Sequence, residues 1–113
     1  MTIFALSSGP GLAGISVIRV SGPNTRKVIS ELTKKQLPEP RVATRRKFNK
    51  IEDNELIDEG ILIWFPGPSS YTGEDMAEFH VHGSKAVVDA IHSTISKVDG
   101  CRLAEPGEFT KIA

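Results

Sequence analysis

The apolar positions of this chain fall into short runs separated by polar turns, a pattern that favours β-strands. Runs rich in β-branched residues predict six strands, at residues 2–6, 15–20, 44–49, 56–65, 76–81 and 101–104. The segment 61–65 is apolar at every position. We therefore expect this strand to be central and covered on both faces of the sheet.

Two segments carry apolar residues at helical spacing. In residues 84–98 the apolar positions recur every three or four residues, at Val87, Ile91, Ile95 and Val98. This spacing predicts an amphipathic helix, and Ser84 suits its N-cap. Residues 23–32 predict a second helix, with Pro23 in its first turn and Ser21 or a neighbour as its cap.

The order of these elements predicts an α+β domain. The segments 7–14, 36–41 and 66–75 are rich in Gly or Pro and predict turns and linkers, and the acidic turn 51–55 predicts a hairpin. A mixed β-sheet with two main helices packed on one face accommodates this order. With 113 residues and a mass of 12.3 kDa, the chain has the size of one domain, residues 1–113.

Composition excludes several classes of protein. Fourteen basic residues balance fourteen acidic ones, so no net charge attracts nucleic acid or lipid. The single cysteine, Cys101, excludes an internal disulfide and a CxxC metal site. The chain has no apolar run of membrane-spanning length and no secretory signal at its N-terminus. We expect a protein of the cytoplasm or of an organelle matrix that has no membrane partner.

The charges are unevenly ordered along the chain. Residues 19–50 hold ten Lys or Arg and two acids, whereas residues 51–80 hold eight acids and no base. Such blocks have two interpretations. They form solvated faces whose charges pair within one chain or between two chains, or the basic block forms a patch for an anionic partner. The second interpretation suggests a small α+β RNA-binding module that uses residues 34–50. That stretch holds only one aromatic residue, Phe48. RNA-binding strands, by contrast, usually alternate aromatic residues with basic residues.

Three glycines have the spacing of a nucleotide-binding motif. Gly9, Gly11 and Gly14 match GxGxxG, but a strand pattern follows them where a dinucleotide site needs a helix. The positions after Gly14 are Ile15 and Ser16, so the phosphate-binding lysine of a P-loop is missing. We expect no GTP hydrolysis by this chain, and a tight loop that lines a ligand cleft.

Other candidate groups are less specific. His80 and His82 share one face of a strand, which suits a pair of zinc ligands, but no third ligand has a recognisable spacing. Packed or hydrogen-bonded histidines are the alternative, and we predict no metal site. Cys101 has no neighbouring Cys–His–acid pattern, so we predict a buried thiol and no catalytic residue.

Arg19 and Glu78 are lone charges in apolar strands. A charge flanked in this way needs a partner. The two side chains therefore form either a structural ion pair or the polar floor of a ligand site. Such a ligand would have hydrogen-bond donors along one edge and an anionic group at one end.

Six motifs that span the whole chain identify a family. They are TIFAL at 2–6, GISVIRVSGP at 14–23, IDEG at 57–60, WFPGPSSYTGED at 64–75, EFHVHG at 78–83 and PGEFTK at 106–111. In this combination the sequence resembles the N-terminal domain of the MnmE (TrmE) family of tRNA-modifying GTPases. The resemblance implies a fold similar to half of the tetrahydrofolate-binding aminomethyltransferase fold.

The resemblance also implies a folate site near the interface of a homodimer. The ligand would be 5-formyltetrahydrofolate or 5,10-methylenetetrahydrofolate, which supplies a one-carbon unit. The family's folate-contacting Arg and Glu fall on Arg19 and Glu78. A pterin could donate to Glu78 through N3–H and its 2-amino group, while Gly11 and Gly14 let the flat ring approach the backbone.

The family's full-length protein adds a helical domain and a GTPase domain that uses GTP, Mg and K. With the FAD protein MnmG (GidA) it modifies the wobble uridine of tRNA, in the cytoplasm or the mitochondrial matrix. This chain would be a fragment without GTPase activity of its own. Leu12, Ala13, Ser84 and Ile112 depart from the family pattern, and a later folate-contacting lysine is absent, so we expect a reduced affinity for folate.

Overall fold

The computed structural model of the chain describes residues 1–7 and 14–112, which form one sheet with three helices. The strands are β1 (Thr2–Leu6), β2 (Ile15–Ser21), β3 (Thr44–Asn49), β4 (Leu56–Phe65), β5 (Met76–His82) and β6 (Cys101–Leu103). The helices are α1 (Thr25–Thr33), α2 (Lys85–Ser96) and α3 (Glu108–Ile112). All six predicted strands and both predicted helices are confirmed. The five-residue α3 was not predicted.

The strand order is β3-β4-β5-β2-β1-β6. The four pairs β3–β4, β4–β5, β5–β2 and β2–β1 are antiparallel, and β1–β6 is parallel. The sheet is therefore mixed, and the predicted α+β class is confirmed. The hairpin β3–β4 closes through the acidic turn 51–55, as expected.

One core lies between one face of the sheet and the helices α1 and α2. The strands contribute Phe4, Ile18, Val20, Phe48, Leu62, Trp64, Ala77, Phe79 and Val81, and the helices contribute Val28, Ile29, Leu32, Ile91 and Ile95. These residues follow a period of two on the strands and of three or four on the helices, so the pattern that predicted the elements also supplies the core. No helix among the described residues is long and apolar enough to cross a membrane.

The two helices begin differently. Ser84 caps α2, and its Oγ accepts a hydrogen bond from the main-chain N–H of Val87, as predicted. The prediction for α1 was wrong at its start, because the helix begins at Thr25, after Pro23, and Ser21 belongs to β2. The N-cap residue is Asn24, whose side chain does not cap the helix but donates to the carbonyl oxygen of Asp99.

The strand β4 corrects a second expectation. Leu62 and Trp64 point into the core, but Ile61, Ile63 and Phe65 on the opposite face are only half-buried. The helices cover one face of the sheet and leave the other uncovered by them. We call this second face the open face. Strand register adds to it the side chains of Val17, Arg19, Met76, Glu78 and His80.

Candidate functional site

The two charges singled out in the sequence meet on the open face. Register places Arg19 of β2 directly opposite Glu78 of β5. The Nε atom of Arg19 lies 3.1 Å from Oε2 of Glu78, and the two side chains are 34% and 16% exposed. The structure therefore pairs the two predicted site residues and leaves both within reach of solvent.

The second oxygen of Glu78 has a different partner. Nε2 of His80 lies 3.0 Å from Oε1, two residues further along β5. The hydrogen bond from His80, followed by that from Arg19, holds the pKa of Glu78 below its usual value, although burial opposes the shift. Glu78 is therefore an ionised acceptor at neutral pH, and Nε2 of His80 carries the proton.

An aromatic ring flanks the arginine. The guanidinium carbon of Arg19 lies 5.5 Å from the centre of the Tyr71 ring, which is the geometry of a cation–π contact. The irregular segment 66–75 carries this tyrosine. A hydrogen bond of 2.7 Å between the hydroxyls of Ser21 and Thr72 ties the segment to β2. Tyr71 was missed as a site residue, although it lies within one of the family motifs.

Apolar side chains surround the charged group. On β4, Ile63 lies opposite Glu78 and Ile61 opposite His80, and Val17 lies opposite His80 on β2. These apolar neighbours exclude some of the water around the Arg19–Glu78 ion pair, although both side chains remain partly accessible. The pair therefore attracts a polar ligand more strongly than the same two groups would in bulk water.

A cavity of about 220 Å³ opens at one end of this network. Its lining includes Gly14, Ile15 and His80, while Arg19 and Glu78 are not among the lining residues that the structure describes. His80 thus joins the Arg19–Glu78 pair to the cavity. Gly14 has a φ of +89°, a left-handed value that favours glycine. Gly11 and Gly9 lie outside the described residues.

The two histidines of the HxH motif have separate carboxylate partners. Nδ1 of His82 lies 2.8 Å from Oδ1 of Asp58, and the main-chain N–H of His82 donates to Oδ2. Burial alone would raise the pKa of Asp58, but these hydrogen bonds hold it below its usual value. Within residues 1–7 and 14–112 no group of three His, Cys, Asp or Glu could hold a metal ion.

The remaining candidates have structural roles. Burial raises the pKa of the half-buried Cys101 thiol, which keeps it protonated and unreactive. Ile15, directly after Gly14, begins a strand and not a helix, so the glycine motif lacks the helix N-terminus that binds a pyrophosphate.

Comparison with known proteins identifies relatives along the whole chain. The family described as "GTP-binding protein TrmE N-terminus" matches residues 2–113. The chain is 70% identical over 113 residues to the "tRNA modification GTPase MnmE" of Pelagibacter ubique, covering 100% of this chain and 26% of that protein. It is 50% identical over 112 residues to the protein of the same name from Brucella ovis, covering 99% of this chain and 25% of the relative.

A vertebrate protein is also similar. The "5-taurinomethyluridine-[tRNA] synthase subunit GTPB3, mitochondrial" of Danio rerio is 47% identical over 112 residues, covering 99% of this chain and 22% of its own length. The chain thus spans about a quarter of the length of the curated relatives that it matches.

Proposed function

The chain belongs to the TrmE N-terminus family, and from this premise we propose that it is the domain of a tRNA modification GTPase that binds a reduced folate and pairs with a second copy of itself. The observation that carries the proposal is the Arg19–Glu78–His80 network on the open face. This ion pair is partly exposed on the open face, and His80 connects it to the cavity, so a ligand in the cavity could reach it.

The donors and acceptors of the network match a pterin ring. Glu78 is held as a carboxylate, and its two oxygens have lone pairs beyond those used by Arg19 and His80. A pterin presents N3–H and a 2-amino group as a planar pair of donors, which suits such an acceptor. Among the described residues Arg19 bonds to Glu78 through Nε, and its terminal nitrogens make no hydrogen bond there, so they could meet a carbonyl or carboxylate of the ligand.

Two further features suit a flat, anionic ligand. The Tyr71 ring beside Arg19 offers an aromatic face for stacking. Gly14, which lines the cavity, has no atom of the described residues within 4 Å of where a Cβ would lie, so as far as those residues go a ring can lie close to the backbone there. A bound tetrahydrofolate would supply a one-carbon unit, and these residues would hold and orient it.

The apolar part of the open face supports self-association. Ile61, Ile63 and Phe65 are only half-buried, and Ile15 is 55% exposed. A small domain gains stability when such a surface is covered, and a symmetric dimer would cover the same patch on both copies. A second copy at this face would also enclose the ligand.

The wider role follows from the names of the relatives. We propose that this domain serves a full-length enzyme whose other parts bind GTP with Mg and K, and which acts on tRNA with the FAD protein MnmG (GidA). The site of action would be the cytoplasm, or the mitochondrial matrix in a eukaryote. This chain would contribute the one-carbon site and no catalytic residue for GTP hydrolysis.

Calorimetric titration with 5-formyltetrahydrofolate tests the proposed site. We expect saturable binding with one folate per chain, and no heat from GTP titrated under the same conditions. Absence of folate binding at protein concentrations where the chain is dimeric would contradict the proposal.

A further inference from the structure

A basic groove lies at the edge of the sheet, between the end of α1 and the edge strand β3. Its volume is about 280 Å³, and most of its lining comes from Thr33, Lys35, Arg45, Arg46, Lys47 and Asn49. We call this feature the basic groove. It shares Glu59 with the cavity beside His80, but its cations lie on β3 and just after α1, two strand positions from β5, which carries Glu78.

Within the part of the chain that the structure describes, ion pairing leaves three cations of the groove without an acidic partner. Elsewhere the basic and acidic blocks of the sequence pair with each other, as in Arg26–Asp75 and Lys50–Glu55. The acid that lines the groove, Glu59, is used by Arg45, whose Nε lies 3.1 Å from its Oε2. Lys35, Arg46 and Lys47 form no ion pair within residues 1–7 and 14–112.

Arg46 also has an unused donor inside the fold. Its Nε–H is buried and has no hydrogen-bond acceptor among the described residues, while Nη1 donates to the carbonyl oxygen of Arg45. A buried donor without an acceptor costs free energy. An anionic oxygen in the groove, which Arg46 lines, would neutralise part of this unpaired charge.

We propose that the basic groove binds phosphate groups of the backbone of structured RNA. Lys and Arg around a groove are the groups that contact phosphates. The choice of RNA as the polyanion rests on the proposed function, since the relatives are named for tRNA modification.

The groove is suited to a backbone and not to bases. The aromatic residue of the basic stretch, Phe48, is fully buried and packs edge-on against Phe79. The described lining of the groove contains no aromatic side chain on which a base could stack. Recognition is therefore independent of sequence and dependent on salt.

Binding of a short RNA duplex at several salt concentrations tests the proposal. Three phosphate contacts predict a slope of log K against log salt of about −2.7, which is roughly a 40-fold loss of affinity between about 50 mM and about 200 mM salt. The double variant Lys35→Gln/Lys47→Gln retains one contact, so its slope should be about −0.9. Lys27→Gln/Lys111→Gln is the matched control, since it makes the same change of charge at exposed lysines that form no ion pair in the described part of the chain.

The expected result is a reduced slope in the groove variant and an unchanged slope in the control. Equal slopes in the wild-type chain and the groove variant, equal losses in both variants, or no binding of the duplex at low salt would overturn the proposal. Binding to phosphatidylserine vesicles without binding to RNA would overturn the choice of partner. The groove variant should still bind 5-formyltetrahydrofolate like the wild-type chain, so that a failed folate site and a failed RNA site give different results.

Discussion

Gly60 of β4 lies directly against the main-chain carbonyl oxygen of His80 on β5. A Cβ atom added at Gly60 would overlap that oxygen and would also press on the ring of Phe48. Backbone atoms cannot yield as the end of a flexible side chain can. The contact therefore requires glycine at this position, next to a histidine that holds the carboxylate of the candidate site.

Gly60→Ala should destabilise the domain. Overpacking against backbone costs about 1–3 kcal/mol, which corresponds to a fall in Tm of at least several degrees. Thermal unfolding followed by circular dichroism measures this effect. Gly83→Ala is a milder variant for comparison, because its added Cβ would meet its nearest neighbours at 3.3 Å. This variant should lower Tm less than Gly60→Ala. Equal Tm values for Gly60→Ala and the wild-type chain would show that β4 and β5 can separate at this point.

Acid should weaken the fold through His92. This histidine packs against Phe4, its Nε2 is buried without a hydrogen-bond partner in the described chain, and burial lowers its pKa although Asp89 opposes the shift. His92 therefore takes up a proton more readily in the unfolded chain, where its pKa is about 6.5, than in the folded chain. The free energy of unfolding decreases as the pH falls from about 6.5 through the lowered pKa of the folded chain. Denaturant unfolding at about pH 7.5 and about pH 5 should show this loss.

His92→Leu provides the control for that titration. The variant removes the ionisable group and keeps an apolar side chain against Phe4, so its stability should depend less on pH over the same range. An identical pH dependence in the variant and the wild-type chain would assign the acid sensitivity to other groups.

Most of the fold could be predicted from local patterns, because strands and helices that share one core carry their own periodicity. The start of α1 could not, since Asn24 uses its side chain on the carbonyl oxygen of Asp99, far along the chain. The open face was mispredicted because an apolar run such as 61–65 does not reveal whether helices cover both sides of a sheet.

The site was predictable in its charges but not in its partners. Arg19 and Glu78 stand out as charges among apolar residues, and the sequence left open whether they pair. His80 was interpreted as half of a possible metal motif, although its ring turns to a carboxylate on the same strand. Tyr71 reaches Arg19 only through the path of an irregular segment, which local patterns do not specify.

Tyr71 should contribute to folate affinity through its ring. Tyr71→Leu removes both the aromatic face beside Arg19 and the cation–π contact, and should weaken 5-formyltetrahydrofolate binding by about 10-fold. Tyr71→Phe keeps the ring and should bind like the wild-type chain. If both variants lose affinity equally, the hydroxyl group and not the ring makes the contact.

Self-association should depend on the open face. Ile15→Gln places a polar group at its rim, whereas Leu56→Gln makes a similar change near α2, outside that face. The two side chains are 55% and 53% exposed, so the variants are matched. Loss of one buried apolar side chain at each symmetric contact should weaken the dimer about 10-fold or more, as measured by sedimentation equilibrium.

The control variant Leu56→Gln should dimerise like the wild-type chain. A wild-type chain that stays at about 12 kDa at high concentration would contradict self-association. Weakening by Leu56→Gln alone would place the interface on the helical side of the domain.

Calorimetric titration of Glu78→Gln with 5-formyltetrahydrofolate tests the central claim most directly. Glutamine keeps the shape of Glu78; its Oε1 can accept from Arg19, and its amide can donate to Nε2 of His80 in the other tautomer, so Tm should shift by only a few degrees. Loss of a charged acceptor should weaken folate binding by about 10- to 150-fold, or about 1.5–3 kcal/mol. Glu39→Gln, at an exposed acid outside the site, should bind like the wild-type chain. Unchanged folate affinity in Glu78→Gln, or a variant that unfolds while its folded fraction binds normally, would show that Arg19 and Glu78 form only a structural pair.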